Sequence, residues 1–570
     1  MRKKLLPPIF LSAVADAGSL AGELEKGFAA YQREDYKAAF EHFKTAAEWG
    51  DVDAQYELGY CYYWGEGVEE NKAAAVEWYR KAAEQGNAHA QNDLGVCYTN
   101  GEGVEEDKVE AVNWYRKAAE QGFTEAQSNL GDCYAFGKGV EEDLIEAGRW
   151  YRKVAEQDGY LDSFAQYLVG LTYEDGYDNE KDQVEAAKWF RKAAEQGCLE
   201  AHVCLALCYE DGRGVERNMT EAVKWCRIAA NRGEINAQTR LAYYYVSGEG
   251  VSKNPTEAVR LFRDAAEKGD AIAQDGLGFC YLRGVGVKKE PTEALKWIHK
   301  AAEQGLDAAQ YNLGYCYLSG ETGETNPPEA AKWYRKAAEQ GLAKAQYKLG
   351  RCYDNGIGVN KDYNEAVKWY RKAAEQGNAK AQVYLGICYQ KGYGVEKDLT
   401  EAVKWYRKAA EQGNTDGQSM LSDCYLMGLG VKKNKTEAIK WIRKAAEQGS
   451  AIEQFSLGSI YYCGELVKQD KIEAVSWFQK GAEQGNAKAQ YMLGECYKKG
   501  DGVKMDKSEA VKWYQKAAEQ GHVHAQYKLG DAYFLGSGIN KDWALAMIWF
   551  RRAAEQGFEP AKKALREMGY

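Results

Sequence analysis

The side chains best suited to chemistry in this sequence lie close together in one stretch. It contains Cys198, His202, Cys204, Cys208 and Cys226. Thiolates and imidazoles are the usual ligands of structural zinc, and thiols also carry redox chemistry. Two of the spacings are i, i+4, which places both side chains on one face of a helix. No Cys-x-x-Cys motif is present, so a thiol- or metal-binding protein remains an alternative to a chance grouping of structural cysteines.

The rest of the sequence shows no pattern typical of an enzyme. The six histidines are scattered, and acidic residues recur at periodic positions, so no pair stands out as acid and base. The Gly-x-Gly-Val segments follow predicted helices instead of strands and recur along the chain, unlike nucleotide-binding loops. We therefore predict no catalytic residue, no metal and no cofactor.

The charge balance of the chain is mildly acidic. Its 570 residues include 85 acidic and 75 basic side chains, for a net charge of −10 at pH 7. Nucleic-acid-binding proteins usually carry a basic surplus, so no nucleic-acid partner is predicted. No apolar run approaches the ~18 residues of a membrane-spanning helix, so membrane insertion is not predicted either.

The dominant feature of the chain is an internal repeat. The phrase Ala-Glu-Gln-Gly, or a variant of it, ends at fifteen glycines from Gly50 to Gly557. Their spacing is 36 residues, except for 37 before Gly159 and 38 before Gly197. A fixed period in this range is the signature of a solenoid and not of a string of unrelated domains.

One period, Ala54–Gly86, predicts a helix hairpin. Its first segment has apolar residues at helical spacing and stops at Gly65 and Gly67, where glycine allows a left-handed turn. A second amphipathic segment follows and closes at Gly86. Tryptophan recurs in thirteen of the fourteen periods, with Leu261 as the exception. We expect these rings in the core, since each supplies a large apolar area to its layer.

These motifs resemble a known repeat family. Ala379–Val395 reads A-x-A-Q-x-x-L-G-x-C-Y-x-x-G-x-G-V, and Glu401–Gly413 reads E-A-V-x-W-Y-R-K-A-A-E-Q-G. The pattern resembles the Sel-one-like repeat (SLR) family, a branch of the tetratricopeptide superfamily, along nearly the whole chain. The resemblance implies an all-α, right-handed α/α superhelical solenoid of about fifteen antiparallel helix hairpins. It also implies a concave groove lined by the first helix of each repeat and a non-enzymatic adaptor that binds proteins or peptides.

Departures from the repeat suggest a division of the chain. We predict an N-terminal segment at 1–23, acidic repeats at 24–197, mildly basic repeats at 198–557 and a capping helix at 558–570. Residues 23–197 hold 37 acidic and 18 basic side chains, against 47 and 54 in 198–570. The acidic surface either aids solubility or steers a basic partner. Unusual turns at 158–182 and 320–328 could change the curvature of the stack.

The cysteines and the N-terminus bear on the compartment. Ten of the fourteen cysteines share one repeat position, and neighbouring repeats lie about 8–10 Å apart, beyond disulfide reach. We predict reduced, buried thiols, which suit the cytoplasm. Met1–Ala17 has the order of a signal peptide, although Pro7 and Pro8 interrupt its apolar stretch. The alternative is an exported factor that engages envelope or host proteins.

The residues that follow the repeating glutamine vary between periods. By analogy with tetratricopeptide folds they face the groove, where variable side chains on a constant scaffold can determine specificity. Asn312 and Lys348 could together receive a partner's carboxylate. The alternative is a polar face that is only solvated. The predicted partner-binding residues are Tyr56, Asn92, Asn129, Arg240, Tyr311, Asn312, Tyr347, Lys348, Tyr384, Tyr491, Tyr527 and Lys528.

Overall fold

The computed structural model describes residues 20–157, 161–176 and 182–569. Within these ranges the chain forms 31 α-helices and no strand. The odd-numbered helices are α1 (Leu20–Gln32), α3 (Val52–Trp64), α5 (Ala88–Asn100), α7 (Thr124–Ala135), α9 (Ser163–Asp175), α11 (Leu199–Asp211), α13 (Ile235–Ser247), α15 (Ala271–Arg283), α17 (Asp307–Ser319), α19 (Ala343–Asn355), α21 (Ala379–Lys391), α23 (Thr415–Met427), α25 (Ala451–Cys463), α27 (Ala487–Lys499), α29 (Val523–Leu535) and α31 (Glu559–Glu567). The even-numbered helices are α2 (Tyr36–Glu48), α4 (Lys72–Glu84), α6 (Lys108–Glu120), α8 (Leu144–Glu156), α10 (Gln183–Glu195), α12 (Met219–Asn231), α14 (Pro255–Glu267), α16 (Pro291–Glu303), α18 (Pro327–Glu339), α20 (Tyr363–Glu375), α22 (Leu399–Glu411), α24 (Lys435–Glu447), α26 (Lys471–Glu483), α28 (Lys507–Glu519) and α30 (Trp543–Glu555).

Consecutive helices pair into hairpins, with an odd-numbered first helix and an even-numbered second helix. The hairpins stack within two compact units. One unit runs to Ala273 and includes Val285–Val287; the other holds Gln274–Gly284 and the chain from Lys288. The predicted all-α solenoid of helix hairpins is confirmed, and α31 is the predicted capping helix.

Polar capping residues and glycines determine where the helices of each hairpin begin and end. In the repeat of α21 and α22, Asn378 caps α21 through its side chain, and Gly392 ends that helix in the left-handed region at φ 75°. A Cβ on Gly394 would lie 2.2 Å from the carbonyl oxygen of Tyr363, so only glycine fits beneath the preceding hairpin. Asp398 then caps α22. The Gly-x-Gly pair therefore serves the turn and the stacking at once.

The unusual turn at 320–328 closes with the same backbone hydrogen bond as the others, although its second glycine, Gly323, lies one residue later and has φ 141°. The amide of Asn326 donates to the carbonyl of Tyr317 at 2.8 Å, as Asp398 donates to Tyr389 at 2.9 Å in the regular turn. Asn326 also caps α18, which begins at Pro327. The other predicted joint, at 158–182, falls in part on residues 158–160 and 177–181, outside the described residues.

In most repeats a buried glutamine joins the hairpin to the one before it. The amide nitrogen of Gln382 on α21 donates to the carbonyl of Ala374 on α20, at 3.1 Å. Its amide oxygen accepts from Gln412, which follows α22, at 2.8 Å. One side chain therefore connects three helices. The same Gln–Gln bond recurs at 2.7–3.3 Å in Gln55–Gln85, Gln91–Gln121, Gln274–Gln304, Gln310–Gln340, Gln346–Gln376, Gln382–Gln412, Gln418–Gln448, Gln454–Gln484, Gln490–Gln520 and Gln526–Gln556.

Close packing inside a hairpin depends on a helical glycine. A Cβ on Gly386 would lie 2.5 Å from the ring of Tyr406, so at this spacing the first helix approaches that ring without a side chain. In the repeat of α13 and α14, Ala242 takes the glycine position beside the ring of Phe262. In the repeat of α11 and α12 the glycine is replaced by Ala206, and the ring is replaced by Cys226. The smaller thiol makes room for the added methyl group.

The recurring tryptophans pack where the sequence places them, at the edge of the core. Trp405 is 8% exposed, and the ammonium of Lys408 lies 4.2 Å from the centroid of its ring. The lysine covers the outer face of the indole and keeps its charge in solvent. Trp78, Trp189, Trp225 and Trp297 are half-buried, and the other nine are buried.

The recurring Gln–Gln bonds, which we call the glutamine spine, predict that removing one glutamine lowers the stability of the fold. Gln382→Ala removes two hydrogen bonds, one to the Ala374 carbonyl, which keeps only backbone partners such as the Gly377 amide, and one to the Gln412 side chain. At about 0.5–1.5 kcal/mol each, their loss costs about 1–3 kcal/mol of unfolding free energy. Gln515 is an exposed glutamine on α28, so Gln515→Ala should change stability by no more than about 0.5 kcal/mol. Urea unfolding followed by circular dichroism compares the two. Equal midpoints for the two variants would contradict the role of the spine.

The glycine–ring contact predicts coupling between two substitutions. Gly386→Ala should cost about 1–3 kcal/mol, because its methyl group would overlap the Tyr406 ring. In a Tyr406→Cys background the same change should cost less, as the native Ala206/Cys226 combination indicates. A double-mutant cycle measured by urea unfolding tests this. An identical cost of Gly386→Ala in both backgrounds would contradict it.

Candidate protein-interaction surface

We define the first-helix face as the two residues that follow each buried glutamine and the residue that follows the helical glycine. The residue directly after one glutamine contacts the residue two positions after the glutamine of the next repeat. The described contacts of this kind are Tyr56–Asp93 (3.2 Å between hydroxyl and carboxylate), Asn92–Asn129 (2.9 Å between amides), Asp275–Asn312 (3.0 Å between carboxylate and amide) and Tyr347–Tyr384 (5.7 Å between ring centroids). The variable positions of adjacent repeats thus contact one another at these four places.

In the first unit the predicted binding residues are engaged with side chains of the chain itself. Tyr56 and Asn92 are buried, at 7% and 3% exposure, and Asn129 is half-buried. Arg240 pairs with the Glu210 carboxylate at 2.7 Å, which also accepts a bond from the Tyr244 hydroxyl. These contacts tie adjacent repeats together.

In the second unit, Asn312 and Lys348 have different partners. The Asn312 amide donates to both carboxylate oxygens of Asp275 at 3.0 Å. Burial raises the pKa of that carboxyl group, and the bond from Asn312 opposes the rise. No hydrogen bond joins Asn312 to Lys348 in the described part of the chain. Tyr311 packs against Tyr334, with ring centroids 5.7 Å apart.

Lys348 belongs instead to a group we call the cationic-aromatic cluster: Tyr347, Lys348, Arg351, Lys380 and Tyr384. The Arg351 guanidinium donates to the hydroxyls of Tyr384 at 2.7 Å and Tyr347 at 3.3 Å, and its Cζ lies 4.6 Å from the Tyr384 centroid. Burial, Arg351 and Lys380 all lower the pKa of Lys348. In the described residues no carboxylate forms an ion pair with any of the three cations. The cluster is therefore electropositive and half-exposed, with aromatic walls.

Sequence reasoning found three of these five residues. Tyr347, Lys348 and Tyr384 follow a repeating glutamine, whereas Arg351 follows the helical glycine and Lys380 precedes the next glutamine. The residue after the helical glycine also varies between repeats, from Tyr315 to Arg351 in two adjacent ones, and this variation could have indicated Arg351. Only stacking shows that those positions meet.

The last predicted residues lie in an aromatic group at the C-terminal end of the second unit. Tyr491 stacks on His522 with centroids 4.8 Å apart. Tyr527 packs edge-on against Phe558 at 5.4 Å, and the Lys528 ammonium lies 6.0 Å from the Tyr527 ring. His522 caps α29 at the position that Asn378 occupies before α21. Its Nδ1 accepts a hydrogen bond from the Ala525 amide in the first turn of α29.

The cysteine and histidine group around α11 has structural roles. His202 stands where other repeats carry the buried glutamine, and its Nδ1 lies 2.6 Å from the carbonyl oxygen of Cys198. Cys226 fills the position of the ring, and Cys204 and Cys208 lie on the first helix. Burial raises the pKa of Cys204 and Cys226 to about 12. Among the described residues no group of three or more His, Cys, Asp or Glu side chains could hold a metal ion.

All fourteen cysteines of the chain are free. Twelve are buried, Cys204 is half-buried and Cys463 is exposed. Burial raises the pKa of the repeat-position thiols, to about 12 for Cys388 and about 11 for Cys352, so they are protonated fillers of the core at neutral pH.

The hairpin stack, its recurring Gln–Gln bonds and its variable first-helix face define an all-α repeat protein of stacked helix hairpins. The chain belongs to the Sel1 repeat family. The Sel1 repeat model matches residues 19–51, 52–87, 88–123, 124–159, 163–198, 200–234, 235–270, 271–306, 307–342, 343–378, 379–414, 415–450, 454–486, 487–522 and 523–558. Proteins of this family are generally non-catalytic scaffolds for protein interaction.

Solved structures agree with this assignment. A protective antigen present in uropathogenic Escherichia coli strains, which displays an SLR fold, is 36% identical; the match covers 85% of this chain and 97% of that one, with a TM-score of 0.51. A Sel1 repeat protein from Oxalobacter formigenes is also 36% identical over 54% of this chain and 90% of that one, with a TM-score of 0.47. No match was found among curated proteins. Across the described residues, no helix has the length and apolar character needed to span a bilayer.

The histidine cap of α29, His522, predicts that the stability of the fold depends on pH. Burial, His524 and Lys488 lower the pKa of His522, so the folded chain resists protonation there while the unfolded chain accepts the proton near pH 6.5. Stability should therefore fall as the pH drops below about 6.5. His522→Asn, which installs the usual cap, should reduce this fall in thermal unfolding scans between about pH 7.5 and 5.5. His299→Asn is the control and should keep it; equal slopes for His522→Asn and the wild type would contradict the prediction.

Proposed function

We propose that this protein is a non-enzymatic adaptor that binds segments of partner proteins along its first-helix face. In the second unit the bound segment is acidic and places a carboxylate at the cationic-aromatic cluster. The observation that carries the proposal is three neighbouring cations, Lys348, Arg351 and Lys380, with no carboxylate paired to them in the described residues.

The electrostatics of the cluster favour an anionic partner. Arg351 and Lys380 lower the pKa of Lys348, which means that the free protein bears an unrelieved repulsion. A carboxylate between these groups would relieve it and accept charge-assisted hydrogen bonds, which are stronger than neutral ones. Binding should therefore raise the pKa of Lys348.

The aromatic walls of the cluster add apolar contact area. Tyr347 and Tyr384 are half-buried, and Tyr384 stacks on the buried Tyr370 with centroids 5.5 Å apart. Arg351 is held between the two hydroxyls, so its guanidinium is positioned before a partner arrives. Tyrosine and arginine are enriched among the residues that dominate binding energy at interfaces.

The first-helix face of the first unit has the opposite sign. Asp93 is the second residue after Gln91 on α5, and Asp132 follows the helical glycine Gly131 on α7. Residues 23–197 hold 37 acidic against 18 basic side chains. We extend the proposal to basic segments there, because a surface of one sign steers oppositely charged partners to it.

We propose the cytoplasm as the compartment, because the twelve buried thiols are free. The rival is an exported factor that meets envelope or host proteins, which rests on Met1–Ala17. The predicted signal sequence falls on residues 1–19, outside the described residues. N-terminal sequencing of the protein purified from its source separates the two, since a chain that begins after Ala17 would contradict the cytoplasmic proposal.

The binding proposal predicts a local effect of charge. Lys348→Gln with Arg351→Gln should weaken binding of acidic peptides to the full chain by about tenfold or more. Lys404→Gln with Lys440→Gln removes the same charge from the outer sides of α22 and α24 and should leave binding within about twofold. Fluorescence anisotropy with acidic, neutral and basic peptides of matched length, at low and high salt, measures this.

Two outcomes would contradict the proposal. One is equal weakening by the two pairs of substitutions, which would indicate only long-range attraction to net charge. The other is binding of acidic peptides no tighter than that of neutral peptides.

A further inference from the structure

The outward side of the second helices carries a repeated ion pair. A glutamate in the first turn pairs with a lysine or arginine three residues later; Glu401 and Lys404 on α22 lie 2.8 Å apart. Ten of the described second helices share the pair: Glu146–Arg149, Glu185–Lys188, Glu221–Lys224, Glu257–Arg260, Glu293–Lys296, Glu329–Lys332, Glu365–Lys368, Glu401–Lys404, Glu437–Lys440 and Glu509–Lys512.

The last second helix, α30, replaces both charges with aliphatic residues. Leu545 takes the position of the glutamate and Ile548 that of the lysine, and they are 36% and 44% exposed. The terminal repeats of a solenoid normally present a polar outer face, since apolar groups there lower solubility. The aliphatic pair differs from the ion pair of the ten other helices, and covering it with another surface would remove its apolar area from water.

The residues around this pair have the spacing of a helix-pairing seam. On α30, Leu545, Ile548, Arg552 and Glu555 follow one another at intervals of three, four and three residues, and Lys541 lies in the turn two residues before the helix begins. This is the heptad spacing by which one helix packs along another. All five side chains are exposed.

The charges of the seam indicate which helix fits it. Lys541 lies in the turn just before the N-terminal end of α30, and Glu555 is the last residue of the helix. Two parallel copies would bring like charges together, whereas two antiparallel copies bring each Lys541 to Glu555 of the partner subunit. The positive end of each helix dipole would also meet that carboxylate. The seam is thus complementary to itself about a twofold axis.

We propose that α30 is a self-association surface through which two copies of this chain pair antiparallel, with the twofold axis at Ile548. In this register Ile548 meets its own counterpart, and the aliphatic stem of Arg552 lies over Ala544 of the partner subunit. A contact between two 13-residue helices is smaller than the ~1,200 Å² of standard stable interfaces. The dimer should therefore dissociate on dilution in the micromolar range. This proposal is independent of the first-helix face.

The test is sedimentation velocity of the full chain over a range of protein concentrations. The wild type should shift from monomer toward dimer as the concentration rises. Leu545→Glu with Ile548→Lys installs the ion pair that ten other helices carry, so it preserves the fold, which circular dichroism checks. This variant should stay monomeric at every concentration.

Charge reversal tests the antiparallel register. Lys541→Glu and Glu555→Lys should each weaken the dimer by about tenfold, and the two together should restore it, because the opposed charges are exchanged. A wild type that stays monomeric up to the highest soluble concentration would overturn the proposal. A dimer that survives Leu545→Glu with Ile548→Lys would also overturn it, and a dimer unaffected by either single charge reversal would overturn the register.

Discussion

The stack depends on one buried amide contact, the bond between two glutamines 30 residues apart. The first glutamine lies inside a hairpin and also reaches back to the carbonyl of the preceding second helix, as Gln382 does to Ala374. A buried amide must satisfy both its donor and its acceptor, so it fixes distance and orientation more narrowly than apolar packing does. The hairpin and its predecessor are therefore held in one register, and each repeat presents its variable residues at the same place.

That constant spine leaves the first-helix face free to vary. Because the residue after one glutamine meets the residue two positions after the next, two neighbouring repeats together decide the chemistry of each patch. Asn312 and Asp275 satisfy each other, whereas Tyr347, Arg351 and Tyr384 assemble a cationic site with aromatic walls. Specificity in this chain thus arises between repeats and not within one.

Because most repeats are nearly identical, the few that differ in sequence can be compared with the rest. In one repeat a glycine and a ring are both replaced, by Ala206 and Cys226, whereas Ala242 keeps the ring of Phe262. His202 takes the place of a buried glutamine, and Lys268 takes the place of the glutamine that would pair with Gln238. The loss of an ion pair at Leu545 and Ile548 stands out because ten other helices keep it. Departures of the first two kinds are absorbed by packing inside the hairpin. The third remains on the surface and is the basis of the proposed self-association.

The sequence by itself determined the hairpin architecture, since a 36-residue period, paired helical segments and Gly-x-Gly turns leave little else that buries both faces. It also determined that the tryptophans and repeat-position cysteines fill the core. Only the tertiary structure decided which variable residues meet. Lys348 lies beside Arg351 and Lys380 and not beside the amide of Asn312. The glutamine of the Ala-Glu-Gln-Gly phrase does more than end a helix, because it bonds to the buried glutamine 30 residues earlier. The physical reason is that period and propensity are local, whereas contacts 30 or 37 residues apart depend on the rotation of one hairpin on the next.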